Sequence, residues 1–178
     1  GLYPTARKGA QTWMFELNKQ VINSTRSARF VTVPSPWVAE LFARDMGFKP
    51  VVIPHGIDVE EFPEPDYKER SNIVWNKNRN MDVCDPTPVN ALAAMMPDFS
   101  FITTFGNKAD NVDVVGTMPH PDMVKLLYKY GGIYLATTKE TFGLATLEVM
   151  AAGMPVLCWN WGATPDLIEH GVTGYIAK

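Results

Sequence analysis

Two glutamates stand eight residues apart in the segment KETFGLATLEVMAAGMPVL, which runs from Lys139 to Leu157. Glu140 precedes an aromatic-glycine-leucine triplet, and Glu148 lies in an almost wholly apolar run. An unpaired buried carboxylate is costly, so Glu148 needs hydrogen-bond donors. The alternative is a surface glutamate on an amphipathic helix, but the apolar neighbours leave little polar surface to support it. The pattern therefore favours a binding role for Glu148.

The surroundings of this carboxylate indicate what it binds. Residues 143–152 are predicted to be a helix, whose first turn offers unpaired N–H groups and a partial positive charge. Gly143 lets a ligand approach the backbone closely, and a phosphate fits there. Side chains on a helix lean toward its N-terminus, so Glu148 is expected to reach back toward Glu140. A carboxylate repels phosphate but can accept two hydrogen bonds from a ribose diol, which predicts a nucleotide.

The elements that must position these residues alternate along the chain. Strands that alternate with helices predict a parallel sheet covered on both faces, with ligands beyond the carboxyl ends of the strands. The strands are predicted at 29–35, 50–58, 72–76, 99–106, 112–116, 132–138, 155–160 and 173–177. The helices are predicted at 11–23, 36–46, 87–96, 121–130, 143–152 and 164–171, and residues 62–71 are predicted to be a linker.

Length and composition limit the classes of protein. The chain has 178 residues, 46% of them hydrophobic, enough for one domain or for one domain and a piece of another. Its net charge of -3 excludes a basic nucleic-acid footprint. Cys84 and Cys158 have no metal-like spacing and predict free thiols in a reducing compartment, so a cytoplasmic location is expected. No signal peptide or long apolar span is evident, and peripheral contact with a membrane stays open.

The glutamate segment, followed by WGATPDLIEHGVTGYI, resembles the donor-binding half of retaining GT-B glycosyltransferases of the GT4 kind. VVIPHGID resembles the segment that leads into the family's C-terminal domain, and the resemblance covers roughly residues 29–178. It implies an α/β fold in which helices cover both faces of a Rossmann-like parallel sheet. The positions that match the glutamate motif are Glu140, Phe142, Gly143, Leu144, Glu148, Gly153 and Pro155.

The resemblance also implies roles. Glu148 is expected to bind the ribose hydroxyls of a nucleotide sugar, and Glu140 to lie against the donor sugar as the catalytic residue. Residues 115–118, which end at Met118, are expected to line the base pocket. No metal or other cofactor is expected, because positive side chains and the helix terminus would neutralise the diphosphate leaving group. The backbone amides expected to hold the sugar and the diphosphate are those of Phe142, Gly143 and Leu144.

One departure concerns the phosphate-binding cations. The family usually has Gly-Arg after the first strand of this domain and a Lys-Gly shortly afterwards, whereas this chain has WNKNRNMDVCDP. Lys77 stands where the arginine would be, and Arg79 is the candidate substitute for the missing lysine. Lysine holds phosphate as a point charge rather than as a fork. The alternative is that both are solvated loop charges.

Other polar and aromatic residues are less informative. His55 replaces the family's usual asparagine and is interpreted as a structural turn residue, and His120 and His170 are also interpreted as structural. Trp159 and Trp161 lie at a predicted strand end. Packing between domains and contact with a ligand both stay open for these tryptophans.

The domain prediction follows from the resemblance. Residues 1–53 are expected to be the tail of the N-terminal, acceptor-side domain or its linking segment, and 54–178 a C-terminal nucleotide-sugar-binding domain truncated at its end. The partners are then a nucleotide sugar, an unknown acceptor and a missing N-terminal domain. The expected function is sugar transfer with retention, in which this chain supplies the donor site and is inactive alone. The alternatives are a non-catalytic nucleotide-sugar-binding module and a GT-B nucleotide-sugar epimerase.

Overall fold

The computed structural model describes residues 11–62, 68, 70–81 and 84–178. The chain forms two compact units, which divide between His55 and Gly56. Six of the ten residues of the predicted linker, residues 63–67 and 69, lie outside the described residues. Across the described ranges, no helix has the length and apolarity needed to cross a membrane.

The first unit contains two helices and two short parallel strands. The helices are α1, Thr12–Ser27, and α2, Pro36–Met46, and the strands are β1, Thr32–Val33, and β2, Val51–Val52. Helix α2 has its predicted bounds because both ends are marked by local chemistry. The Ser35 side chain accepts a hydrogen bond from the Val38 amide at 3.2 Å, and Gly47 ends the helix at φ 75°.

The second unit is a six-stranded parallel sheet with helices on both faces, which confirms the predicted fold class. Its strand order is β5-β4-β3-β6-β7-β8. The order reverses between β3 and β6, and such a point is where open α/β sheets bind ligands. The strands are β3 Asn72–Trp75, β4 Phe101–Thr103, β5 Val112–Val114, β6 Gly131–Ala136, β7 Val156–Trp159 and β8 Gly174–Ala177, and the helices are α3 Thr87–Met95, α4 His120–Tyr130 and α5 Leu144–Ala151.

Alternation along the strands builds a separate core on each face of this sheet. Val74, Tyr134 and Val156 point to the face where α4 and α5 pack. Trp75 and Leu135 point to the other face, where α3 packs. Trp75 and Tyr134 are both fully buried and sit near the carboxyl ends of the two central strands. The core therefore fixes the strand ends at the switch point.

Two of the differences from the sequence prediction lie near the carboxyl ends of the sheet strands. The predicted helix at 164–171 is a four-residue 3-10 turn, Thr164–Leu167, because Ile168 is already extended at φ -109° and ψ 122°. The central strands also end earlier than predicted. Strand β6 ends at Ala136 rather than at 138, and β4 at Thr103 rather than at 106. The residues beyond these ends leave the sheet and form the loops of the candidate site.

Candidate functional site

An ion pair lies at the switch point between β3 and β6. The Lys77 ammonium donates a hydrogen bond to Glu140 Oε1 at 2.8 Å, although the two residues are 63 positions apart in the chain. The side chain of Lys77 is 7% exposed and that of Glu140 30%. Glu140 therefore keeps a solvent-facing side, while the cation lies beneath it.

Hydroxyl groups fix the loop that carries Lys77. The Lys77 amide donates to Thr104 Oγ1 at 2.8 Å, and the same hydroxyl donates to the Lys77 carbonyl at 2.9 Å. One threonine thus satisfies both backbone groups of Lys77 where β3 ends. At the neighbouring strand end, the Trp75 indole donates to Thr137 Oγ1 at 2.9 Å. These contacts fasten the loops after β3, β4 and β6 to one another.

Glu140 is held by its side chain and by its backbone. Thr138 Oγ1 donates to Glu140 Oε1 at 2.8 Å, and the Ala163 amide donates to the Glu140 carbonyl at 2.9 Å. Gly162 is at φ 66°, and a Cβ there would lie 2.9 Å from the Glu140 carbonyl oxygen. Only glycine both adopts this conformation readily and allows the close approach. The loop after β7 thus supports the Glu140 backbone.

The ion pair favours the charged form of both partners. Burial lowers the pKa of Lys77, but Tyr134 and Glu140 raise it, so that the net pKa lies above its ordinary value. Burial raises the pKa of Glu140, but Lys77, Thr138 and the charge of Arg79 lower it, and the net pKa lies below its ordinary value. Lys77 and Glu140 are therefore both ionised at neutral pH.

The N-terminus of α5 borders the same loops. Gly143 precedes the helix at φ 102°, and its carbonyl accepts the amide of Thr146 at 3.0 Å. The first amides of a helix have no intrahelical partner, so they are available to an anion. Thr164 lies beside Gly143, and its buried hydroxyl is one of the few side-chain groups in the described residues without a hydrogen-bond partner. The predicted backbone donors at Phe142, Gly143 and Leu144 are thus at a helix start.

Glu148 pairs with a histidine for which the sequence predicted no functional role. His120 Nε2 lies 3.3 Å from Glu148 Oε1, with side-chain exposures of 48% and 22%. Burial raises the pKa of the Tyr134 hydroxyl, Lys77 lowers it, and Glu140 and Glu148 raise it, with a net pKa above its ordinary value. The available signal for His120 was its place at the start of α4, immediately after the predicted base-pocket loop.

The remaining predicted residues surround this centre less closely. Met118 is partly buried against the core cluster beneath α4 and α5, and Arg79 is exposed. Trp159 and Trp161 are both partly exposed, with ring centroids 6.0 Å apart. His170 Nδ1 accepts a backbone amide of β8 at 3.1 Å, which supports its structural interpretation. The binding and catalytic roles assigned to the site residues stay predictions.

Part of the chain is similar to proteins of known family. Residues 103–178 match the family described as glycosyl transferases group 1. Over 57 residues the chain is 39% identical to N-acetyl-alpha-D-glucosaminyl L-malate synthase from Bacillus anthracis. The aligned region covers 32% of this chain and 15% of that protein.

Solved structures share the fold across both units. Sucrose-phosphate synthase from Thermosynechococcus elongatus matches with a TM-score of 0.74 at 19% identity, over 98% of this chain and 50% of that one. The Anabaena protein Alr3699/HepE, solved in complex with UDP and glucose, matches with a TM-score of 0.73 at 20% identity, over 92% and 53%. The chain thus spans about half or less of the length of these proteins. The match to glycosyl transferases group 1 is confined to residues 103–178, and the likeness to these structures shows a GT-B, Rossmann-like fold.

Proposed function

We propose that this chain supplies the nucleotide-sugar donor site of a retaining, GT4-like hexosyltransferase. The observation that carries the proposal is the ion pair between the buried Lys77 and the partly exposed Glu140, beside the N-terminus of α5 at the switch point of the sheet. A cation, exposed helix amides and a carboxylate lie within one loop cluster, which suits a charged diphosphate joined to a neutral sugar. The UDP and glucose in the Anabaena relative support the same ligand class.

The diphosphate is assigned to the start of α5. Its free amides and the helix dipole attract anions, and Gly143 allows close contact. Lys77 lies beneath Glu140 and Arg79 is exposed on the same loop, so both can add positive charge when a diphosphate arrives. These groups would stabilise the negative charge that grows on the leaving diphosphate during transfer. No metal is required in this scheme.

Glu148 is assigned to the ribose and Glu140 to the sugar. Glu148 is partly exposed and pairs through Oε1 with His120, which leaves Oε2 available to a diol. Glu140 is kept ionised by Lys77. A carboxylate beside the anomeric carbon stabilises the positive charge that develops there when the bond to the diphosphate breaks. Met118 is assigned to the base pocket, and the amides of Phe142 and Leu144 to the sugar and the diphosphate.

Nucleotide binding is the first test. Calorimetry of the chain with UDP, GDP, ADP and their sugars, without metal, should show binding to at least one base class. Glu148→Gln should weaken binding of the ribonucleotide by about 1.5–3 kcal/mol, the range for a hydrogen bond to a charged group. Glu169→Gln, at an exposed position of the same unit, is the matched control and should have no effect. Equal affinity of Glu148→Gln and the unsubstituted chain would show that Glu148 is structural.

Product analysis separates transferase from binder and from epimerase. An intact two-domain protein that includes this chain should transfer sugar with retained anomeric configuration, whereas this chain alone should be inactive because positioning of both substrates supplies much of the rate. Binding without transfer by the intact protein would favour a non-catalytic module. Conversion of the free nucleotide sugar to its epimer would favour the epimerase alternative, and an inverted product would contradict retention.

A further inference from the structure

A histidine bridges two acidic residues at the edge of the candidate nucleotide site. His120 is the first residue of α4, and its Nε2 lies 3.3 Å from Glu148 Oε1 on α5. Its Nδ1 lies 3.8 Å from Glu61 Oε2, at the end of the 3-10 turn Val59–Glu61. The imidazole therefore has one close carboxylate and a second one further away.

The contact with His120 restricts the side-chain conformation of Glu148 more than its position on α5 does. A glutamate has three rotatable side-chain bonds, and holding it in one geometry costs conformational entropy. The His120 ring, 3.3 Å from Oε1, restricts the carboxylate before a ligand arrives and leaves Oε2 free to accept hydrogen bonds. Among the described side chains, His120 is the residue that forms an ion-pair contact with Glu148.

The second carboxylate orients the histidine. Glu61 faces Nδ1, so the ring is placed with one nitrogen toward each acid rather than turned out to solvent. A neutral imidazole has a single N–H for the two carboxylates, whereas a protonated ring has one for each. Second-layer groups of this kind, which hold a ligand-binding side chain in place, tune many protein sites.

We propose that His120 is a positioning residue that orients the Glu148 carboxylate toward the ribose diol of the nucleotide. This inference rests on the proposed function, because it presupposes that Glu148 binds the diol. His120 itself is not assigned a contact with the ligand. Its action is confined to the diol, so its removal should affect recognition of the ribose hydroxyls and not that of the diphosphate or the base.

The test compares UDP with 2′,3′-dideoxy-UDP by calorimetry on the whole chain. The unsubstituted chain should prefer UDP by about tenfold or more, as expected for hydrogen bonds to a charged group. His120→Leu should lower that preference by at least about threefold, through weaker UDP binding, with dideoxy-UDP affinity unchanged. His120→Gln, whose amide can still donate to Glu148, should restore most of the preference.

Two controls make the result decisive. Lys125→Leu removes an exposed side chain from the same helix, 79% exposed, and should leave the preference unchanged. His120→Leu in a Glu148→Gln background should have no further effect, because the carboxylate it orients is gone. Thermal melting of each variant shows whether it is folded, and His120 is half exposed, so the substitutions should be tolerated.

The outcomes separate this proposal from the one it rests on. Equal weakening of UDP and dideoxy-UDP binding by His120→Leu, without rescue by His120→Gln, would mean that the histidine is merely structural and would overturn the positioning role. An unsubstituted chain that binds UDP and dideoxy-UDP equally would instead overturn the diol role of Glu148. If calorimetry detects no binding of UDP, GDP or ADP, the proposed function itself is overturned.

Discussion

Two cations flank β3, one at each edge of the sheet, and their partners differ. Arg70 precedes β3 and donates from Nε to the Gly131 carbonyl and from Nη2 to the Ala152 carbonyl, both at 2.6 Å. Lys77 follows β3 and donates to the Glu140 carboxylate at 2.8 Å. The arginine binds neutral backbone atoms that the fold itself fixes, whereas the lysine binds a charged side chain on a loop.

The difference separates stability from binding. The carbonyls that Arg70 binds belong to the first residue of β6 and to the residue after α5, so they cannot move without unfolding these elements. Under the proposed function, Lys77 would be shared between the donor phosphate and Glu140, whose carboxylate retains a solvent-facing side. The amino edge of the sheet is therefore closed by internal contacts, and the carboxyl edge holds charge that a ligand can engage.

The largest expected effect is at the amino edge. Arg70→Met should lower the free energy of unfolding by about 3 kcal/mol, because two carbonyls lose a charged donor. The nucleotide affinity of the folded protein should not change. Urea unfolding and calorimetry measure the two quantities. Lys125→Met, which removes a cation 79% exposed, is the control and should change stability by less than about 0.5 kcal/mol.

At the carboxyl edge we expect the opposite pattern, in which nucleotide affinity changes more than stability. Lys77→Met should weaken UDP binding by about 1.5–3 kcal/mol, because a charged donor to the diphosphate is lost. The free energy of unfolding should change by about 1 kcal/mol or less, because the partly exposed Glu140 keeps its Thr138 hydrogen bond. Lys77→Arg should retain part of the affinity. A stability loss equal to that of Arg70→Met with intact affinity would erase the distinction between the edges.

The loop after β7, which supports the Glu140 backbone, contains Gly162, and the effect of a substitution there can be compared with one at Gly171. Gly162→Ala should lower stability by about 1–2 kcal/mol more than Gly171→Ala, and it should also weaken UDP binding. Both glycines have positive φ, 66° and 82°, but a Cβ meets the Glu140 backbone only at Gly162. Urea unfolding and calorimetry on both variants measure the difference. Identical behaviour of the two variants would mean that the loop does not support Glu140.

The smallest effect is the pH dependence of the ion pair. Glu140 has a lowered pKa, so its stabilisation is present above its ordinary value of 4.5 and is lost as pH falls through the folded pKa. Lys77 has a raised pKa, so its stabilisation is present below 10.5 and is lost as pH rises through the folded pKa.

The difference in unfolding free energy between the unsubstituted chain and Glu140→Gln should therefore form a plateau between these limits and shrink at both ends. Denaturation at a series of pH values measures it. A difference that is constant down to pH 3 would contradict the assignment of charge to Glu140.

Capping residues and the alternation of strands and helices in the sequence were sufficient to predict much of the fold. Helix α2 has the predicted bounds because Ser35, Pro36 and Gly47 set its two ends. The same reasoning overestimated 164–171, where Pro165 and the extended Ile168 allow only a 3-10 turn. The parallel sheet was predictable because alternating strands and helices leave few other arrangements.

The site was predictable by residue type but not by pairing. Lys77 and Glu140 were both named from the sequence, yet their contact depends on β3 lying beside β6, a fact of strand order that no local pattern contains. His120 was missed for the same reason, since its contact with Glu148 joins two helices. Long-range neighbours of this kind are set by tertiary packing and follow only from the assembled sheet.

The most direct measurement is an NMR titration of the isotopically labelled chain with UDP. If the carboxyl edge binds the nucleotide, the amide resonances of Lys77, Gly143 and Leu144 should shift with increasing UDP, and those of Asn72 and Gly131 at the amino edge should stay in place. Shifts confined to the amino edge, or no shifts at millimolar UDP, GDP and ADP, would contradict the division of the sheet into a stabilising edge and a binding edge.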